Sequence, residues 1–182
     1  MQPAQRLIIE DGNLCGAMVL HAGEEMTIRA KAVVLAAGGF PNDPERRKAM
    51  FPRDASGHDN LALPPKGCSG DGLCLGESAG GVVATDLKSP VAWAPVSQVP
   101  YRDGSVGHFP HIIERGKPGV IGVLANGKRF VNEAHGYYDY VSAMVAAVPQ
   151  GQEVCSWLVC DHRFLRRYGL GHARPAPLPV GP

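Results

Sequence analysis

Apolar and polar residues alternate along the first thirty positions of the chain. Arg6-Leu7-Ile8-Ile9-Glu10 and Cys15-Gly16-Ala17-Met18-Val19-Leu20 flank Asp11-Gly12-Asn13. Asp-Gly between two apolar runs marks a hairpin, because glycine accepts the positive φ of tight hairpin turns. After Gly23-Glu24-Glu25, the alternating Met26-Thr27-Ile28-Arg29-Ala30-Lys31 predicts a third strand, giving a three-stranded meander. Ala32-Val33-Val34-Leu35-Ala36-Ala37 is different, being continuously apolar up to Gly38-Gly39. Such a run suits a strand buried on both faces, as in a parallel sheet. The glycines serve either a tight turn after a core strand or the close approach of a ligand, and both readings stay open.

Asn42-Asp43-Pro44-Glu45-Arg46-Arg47-Lys48-Ala49-Met50 predicts a short helix, with Asn42 or Asp43 as cap, proline early and basic residues behind. A loop is expected from Phe51 to Gly67. A second helix is expected near Asp71, with Leu75 and Ala79 four apart and Gly80-Gly81 as its stop. From Asp86 to Pro118 the chain is rich in proline, aromatic and turn residues. Val120-Ile121-Gly122-Val123-Leu124 and Arg129-Phe130-Val131-Asn132, joined through Asn126-Gly127, predict a second hairpin. Tyr137 to Val148 predicts a helix with Tyr137, Val141, Met144 and Val148 on one side. Glu153 to Cys160 reads as a strand ending at Asp161, with a short helix from His162 to Tyr168 after it. Trp93 and Trp157 are expected in the core. The tail from Arg174 holds four prolines and reads as a linker.

Composition narrows the class. The 23 glycines and 16 prolines among 182 residues, with charged residues at 19%, favour short strands, turns and close backbone approaches. Eighteen Lys and Arg against seventeen Asp and Glu leave a net charge of +1, which excludes a global field for nucleic acid or an anionic membrane. No run of apolar residues is long enough to span a bilayer, and residues 1–12 carry Arg6, Glu10 and Asp11 where a signal peptide needs an apolar core. The five cysteines, Cys15, Cys68, Cys74, Cys155 and Cys160, include no C-x-x-C pair, so no metal site is expected. The expected setting is soluble, cytoplasmic and reduced.

Gly70-Asp71-Gly72-Leu73-Cys74-Leu75-Gly76 has the spacing G-x-G-x-x-x-G and follows Pro64-Pro65-Lys66-Gly67. A dinucleotide fingerprint needs G-x-G-x-x-G after a strand, so the Rossmann reading fails. What survives is a glycine-flanked helix N-terminus able to face an electron-rich ligand, with Asp71 as its candidate cap. His108 and His111, beside Glu114 and Arg115 on a proline-bounded loop, either line a cleft or are satisfied structural groups.

Three segments in this order are more specific than any one of them. Ala30-Lys31-Ala32-Val33-Val34-Leu35-Ala36-Ala37-Gly38-Gly39-Phe40 comes first. Ser69-Gly70-Asp71-Gly72 with Glu77-Ser78-Ala79-Gly80-Gly81 follows, and Gly127-Lys128-Arg129-Phe130-Val131-Asn132-Glu133 is last. Together they resemble the fumarate reductase and succinate dehydrogenase flavoprotein family, which includes the 3-ketosteroid Δ1-dehydrogenases. The resemblance runs from about Arg6 to Pro179. It implies an α+β chain in two parts: residues 1–85 a partial FAD-binding domain (meander, buried strand, short helices), and residues 86–175 a capping domain that closes over flavin and substrate. Residues 176–182 would be a proline-rich linker.

The resemblance also implies that the backbones of Ala36, Ala37, Gly38, Gly39, Gly70, Asp71 and Gly72 approach FAD. The family's opening G-x-G-x-x-G is absent from this sequence, so FAD is expected in a complete enzyme and weakly or not at all on this chain alone. Fumarate reductases place an arginine after the Asn-Glu pair and a His-Pro dipeptide upstream. Here Ala134-His135-Gly136-Tyr137-Tyr138-Asp139 and Trp93-Ala94-Pro95 stand instead. That departure resembles the ketosteroid dehydrogenase type, in which tyrosines move protons beside a hydrophobic substrate. Tyr137, or Tyr138 if the register shifts by one, is the implied catalytic residue, and packing at the rim of the cap is the competing role. Arg129 and Glu133 are expected to make structural hydrogen bonds.

The implied activity is that of a flavin-dependent oxidoreductase acting on a carbon-carbon bond next to a carbonyl in a small hydrophobic, steroid-like or related substrate. Alternatives are a non-catalytic capping-type module and a truncated segment with no independent activity. In the last case the surface from Leu35 to Phe40 would be uncovered, and self-association through it is expected.

Overall fold

The computed structural model describes residues 3–53, 60–87 and 89–177. Part of the expected loop at 51–67 and the linker from 178 onward lie outside the described residues. The chain divides into two compact units, Met1–Ala55 with Ala62–Pro90, and Ser56–Leu61 with Val91–Pro182.

The first unit opens with the antiparallel meander β1 (Ala4–Glu10), β2 (Asn13–His21) and β3 (Glu24–Arg29). Asp11 and Gly12 both have positive φ, 50° and 75°. That is the backbone of a type I′ turn, whose twist matches the flanking strands. Between Ile8↔Gly16 and Ile9↔Leu14 the register slips by one residue, leaving Cys15 as a bulge. Ile8, Met18 and Val19 are buried, together with Leu75 of the helix α2 (Asp71–Ser78). Helix α1 (Pro44–Met50) settles the choice of cap. The Asp43 carboxylate accepts from the backbone N–H groups of Glu45 and Arg46 at 3.0 and 3.1 Å. Arg46 then joins the two helices, donating to both carboxylate oxygens of Glu77 at 3.1 and 2.5 Å. Helix α2 ends in a Schellman motif, with Gly81 N–H bonded to Gly76 C=O and Gly80 N–H to Glu77 C=O.

Residues 33–37 correct an expectation. They form neither strand nor helix, and Val34 is 88% exposed. A parallel strand needs neighbours on both edges, and among the described residues none pairs with this segment.

The second unit holds two antiparallel pairs, β4 (Val96–Pro100) with β5 (Val106–Pro110), and β6 (Val120–Val123) with β7 (Trp157–Cys160). The β4–β5 hairpin is absent from the sequence expectations. The Asn126-Gly127 turn forms, with Gly127 N–H bonded to Leu124 C=O, but among the described residues its return arm makes only the bridge Val123↔Arg129. The ladder partner of β6 is β7 instead. Helix α3 (Tyr137–Ala147) stops before Pro149, and α4 (His162–Tyr168) starts at Asp161, whose carboxylate caps Phe164 N–H at 2.7 Å.

The core of this unit is Leu124, Tyr140, Val141, Met144 and Val148, with Trp93, Phe130 and Leu158 packed against it. The buried stripe of α3 therefore includes Tyr140 at 1% exposure, while Tyr137, one turn beyond the core, is 41% exposed. Trp157 also departs from expectation. It is 51% exposed, because strand alternation places it with Val159 on the outward face of a two-stranded sheet.

Gly122 in β6 lies against the Tyr140 ring. A Cβ there would sit 2.5 Å from the Tyr140 hydroxyl oxygen and 3.2 Å from two ring carbons. Gly122→Ala is expected to cost about 1–3 kcal/mol, because the fully buried ring has nowhere to shift. In a Tyr140→Phe background the same substitution should cost markedly less. Urea unfolding of the four proteins checks this, and equal penalties in both backgrounds would contradict the packing described.

Candidate functional site

In the first unit the two segments expected to face a cofactor come together. Gly70 N–H donates to Gly39 C=O at 3.1 Å. A Cβ on Gly72 would meet the Ala37 methyl at 3.4 Å, and one on Gly76 would meet Leu35 at 3.4 Å. Small residues thus let α2 lie directly on the chain from Leu35 to Gly39. Gly38 and Gly70 take positive φ, 84° and 87°, a conformation that side chains with a Cβ rarely adopt. Gly70 is the N-cap of α2, so the expected cap Asp71 is corrected to the first helical residue. Its carboxylate accepts from the Ser69 hydroxyl at 2.9 Å.

Ala36, Ala37, Gly38 and Gly39 are exposed, and Gly70 and Gly72 are buried beneath them. The backbone N–H groups from Val34 to Gly39 have no hydrogen-bond partner among the described residues. An exposed edge of unpaired donors, with no side chain larger than a methyl from 36 to 39, fits the flat ring and carbonyl oxygens of a flavin.

In the second unit Tyr137 and Tyr138 occupy the first two positions of α3, the former exposed and the latter half-buried. Neither side chain has a polar partner among the described residues, and a different tyrosine holds the interior. The Tyr140 hydroxyl lies 3.0 Å from Ser156 Oγ, its ring packs edge-on to Phe130, and the Arg115 guanidinium sits 5.0 Å from its centroid. Burial raises the Tyr140 phenol above its ordinary range, with the Ser156 contact working against the shift.

Arg115 is 2% exposed and donates to three backbone carbonyls: His111 at 3.1 Å, Glu133, and His135 at 2.7 Å. Burial lowers its pKa. Glu133 is also buried. Its carboxylate accepts from Gly122 N–H at 2.8 Å and from Arg129 at 2.9 and 2.5 Å. Arg129 and Glu133 therefore brace the turn and the end of β6 that leads into it, the structural role expected of them.

His108 and His111 separate. His108 is exposed on β5, whereas His111 is 5% exposed, with Nδ1 2.5 Å from Glu114 Oε1 and Nε2 2.6 Å from Ser97 Oγ. Sequence reading missed Ser97 because the hairpin that brings it there was hidden.

A family model described as FAD binding domain matches residues 1–172. A 4-oxocyclohex-2-ene-1-carboxylate 5-dehydrogenase of Sinomonas cyclohexanicum is 39% identical over 175 residues, which are 94% of this chain and 29% of the relative. A 3-oxosteroid 1-dehydrogenase of Mycobacterium tuberculosis is 30% identical over 181 residues, covering 93% of this chain and 30% of the relative. The chain thus spans under a third of the curated relatives it matches. Among solved structures, a 3-ketosteroid delta1-dehydrogenase from Sterolibacterium denitrificans, in complex with 1,4-androstadiene-3,17-dione, superposes with a TM-score of 0.75 at 27% identity. It covers 98% of this chain and 32% of that one. The open conformation of a flavocytochrome c3 fumarate reductase gives 0.53 at 22% identity over 91% of this chain and 27% of that one, a likeness of fold.

Burial pushes the Glu133 carboxyl up, but the Arg129 hydrogen bonds and the Gly122 N–H outweigh it and hold the group below its ordinary value. A carboxyl with a depressed folded-state pKa adds stability above its unfolded value near about 4.3, and that stability is lost as pH falls through the folded value. Glu133→Gln should therefore be less stable than the parent at neutral pH, with the gap closing below about pH 4. Thermal unfolding across pH 3–7 measures this, and a pH-independent gap would rule out the linkage.

Proposed function

The chain belongs to the FAD binding domain family, and on that premise we propose that it is part of a flavin-dependent dehydrogenase acting on the carbon-carbon bond beside a ring carbonyl. The observation that carries this reading is the surface where Leu35–Gly39 lies on Gly70–Gly76 and leaves a backbone edge open. Ala36, Ala37, Gly38, Gly39, Gly70, Asp71 and Gly72 are the proposed flavin-binding positions. Bound there, FAD supplies the hydride acceptor at its ring N5.

The proposed substrate is a small hydrophobic cyclic ketone or enone. Support comes from the names of the relatives, an oxocyclohexene carboxylate and oxosteroids, and from the sequence after Glu133, which offers Gly-Tyr-Tyr-Asp in place of a cation. Residues 1–85 are assigned as the FAD-binding part, 86–175 as the cap and 176–182 as a linker. Removing hydrogens from carbons next to a carbonyl requires a base for the acidic C–H. Tyr137, exposed at the start of α3, is the proposed proton acceptor, with Tyr138 next to it as the alternative. Arg115 and Glu133 keep that end of α3 in place, since Arg115 holds the carbonyls on both sides of Ala134.

Two measurements test the proposal. In an enzyme of the relatives' full length carrying this chain, Tyr137→Phe should slow turnover about a hundred- to ten-thousand-fold with flavin content unchanged. Wild-type turnover in Tyr137→Phe and in Tyr138→Phe alike would return both residues to packing roles. The 182-residue chain alone should bind FAD weakly or not at all, because no G-x-G-x-x-G cradle for the pyrophosphate is present in its sequence. A yellow protein that keeps its flavin absorption through gel filtration would overturn that expectation.

A further inference from the structure

The geometry points to a second reactive centre in the unit from Val91 onward, an activated serine built from Ser97, His111 and Glu114. The inference is independent of the flavin chemistry above. Ser97 and Phe109 are Cα partners across the β4–β5 pair, so their side chains share one face, and His111, two residues beyond Phe109, returns to it. Ser97 is exposed, His111 is 5% exposed, and the Glu114 side chain is 19% exposed. The hydroxyl of an exposed serine, a buried imidazole and a shielded carboxylate therefore stand in sequence, with separations of 2.6 and 2.5 Å.

The order of the contacts fixes the proton positions. An ionised carboxylate only accepts, so Nδ1 of His111 carries the hydrogen directed at Glu114. In the neutral ring this leaves Nε2 bare, and it accepts from the Ser97 hydroxyl. The imidazole has little freedom to turn away. His111 N–H is bonded to Pro95 C=O at 2.8 Å, its carbonyl is held by Arg115, and the second Glu114 oxygen takes Ile113 N–H at 3.3 Å. A nucleophile, a base and a group that orients the base are the three parts an acyl-accepting serine needs.

The ligand class is an activated ester with an apolar or aromatic portion. Phe109 lies 5.2 Å from the His111 ring and 5.4 Å from His172, and Tyr101 lies 5.9 Å from His172, an aromatic row beside the hydroxyl. In the reaction Ser97 Oγ forms a bond to the acyl carbon as its proton passes to His111 Nε2. The bond to the leaving oxygen breaks, and the leaving group departs with the electron pair and takes up a proton from His111 or from water. Water, deprotonated by the same nitrogen, then releases the acid and restores the serine.

Ser105 is the internal control, an exposed serine whose Oγ is bonded to the Asp103 carboxylate at 2.6 Å with no imidazole between them. The 182-residue chain is treated with p-nitrophenyl acetate, and acetylation of each serine is followed by peptide mass spectrometry. Ser97 should be acetylated about a hundredfold faster than Ser105 or more, the scale of general-base assistance. Ser97→Ala, at an exposed position, should lose the fast phase of nitrophenolate release. Glu114→Gln and His111→Gln should bring Ser97 down toward the Ser105 rate while the Ser105 rate itself stays constant. Ser97 acetylation within a few-fold of Ser105 in the parent chain overturns the proposal, even if the His111 variant fails to fold. A fast phase that survives both the Ser97 and Glu114 substitutions also overturns it.

Discussion

The second unit is organised around one buried cation. Arg115 lies in the interior with no carboxylate hydrogen-bonded to it among the described residues, and its guanidinium is directed to the carbonyls of residues 111, 133 and 135 and to the face of Tyr140. Taking such a charge out of water costs several kcal/mol, and hydrogen bonds from a charged donor return about 1.5–3 kcal/mol each. The balance is favourable only when all of them are made together. Two irregular stretches of chain, the turn at His111 and the segment 133–135 that leads into α3, must therefore be in register before the site closes. A lysine could not replace this arginine, since one ammonium group lacks the planar fork that reaches three separated acceptors.

In the first unit the constraint is steric. Chain 35–39 touches α2 only because positions 72 and 76 carry no side chain and position 37 carries a methyl. The same smallness leaves the outer edge of that chain bare. The small residues account for the tight packing on one side, and the segment remains irregular because no strand among the described residues pairs with its other edge. The Arg46–Glu77 pair keeps α1 on α2 nearby, although at its exposure such a pair adds little stability.

Much of this was legible in the sequence where the signal was local. Asp11-Gly12 marked a turn whose dihedrals allow little else, and Asn42-Asp43 before Pro44 marked the start of α1 because the Asp43 side chain can reach the amides two and three residues on. Signals failed where the cause lay far along the chain. Prolines 95, 100 and 110 masked β4 and β5, yet a two-stranded pair consists of edges and tolerates proline there. Tyr140 was passed over in favour of Tyr137, since its hydroxyl is satisfied by Ser156, sixteen residues later. The pairing of Ser97 with His111 depended on that same hidden hairpin. For Val33 to Ala37 the pattern spoke for a strand, but a pattern specifies a buried face and cannot supply the neighbours that bury it.

The turn at Ala125–Lys128 is secured in an uncommon way. Its return arm contributes a single bridge, and the hold on either side comes from the Glu133 carboxylate, which grips Gly122 in β6 and Arg129 after the turn. A loop anchored at its base by side chains is decoupled from what happens at its tip. Within the tip, Asn126 accepts from Lys128 N–H at 3.0 Å and Gly127 holds a φ of 73°, so the turn keeps its own geometry independently of the anchor at its base. The pair Arg129 and Glu133 is bound to change together or not at all.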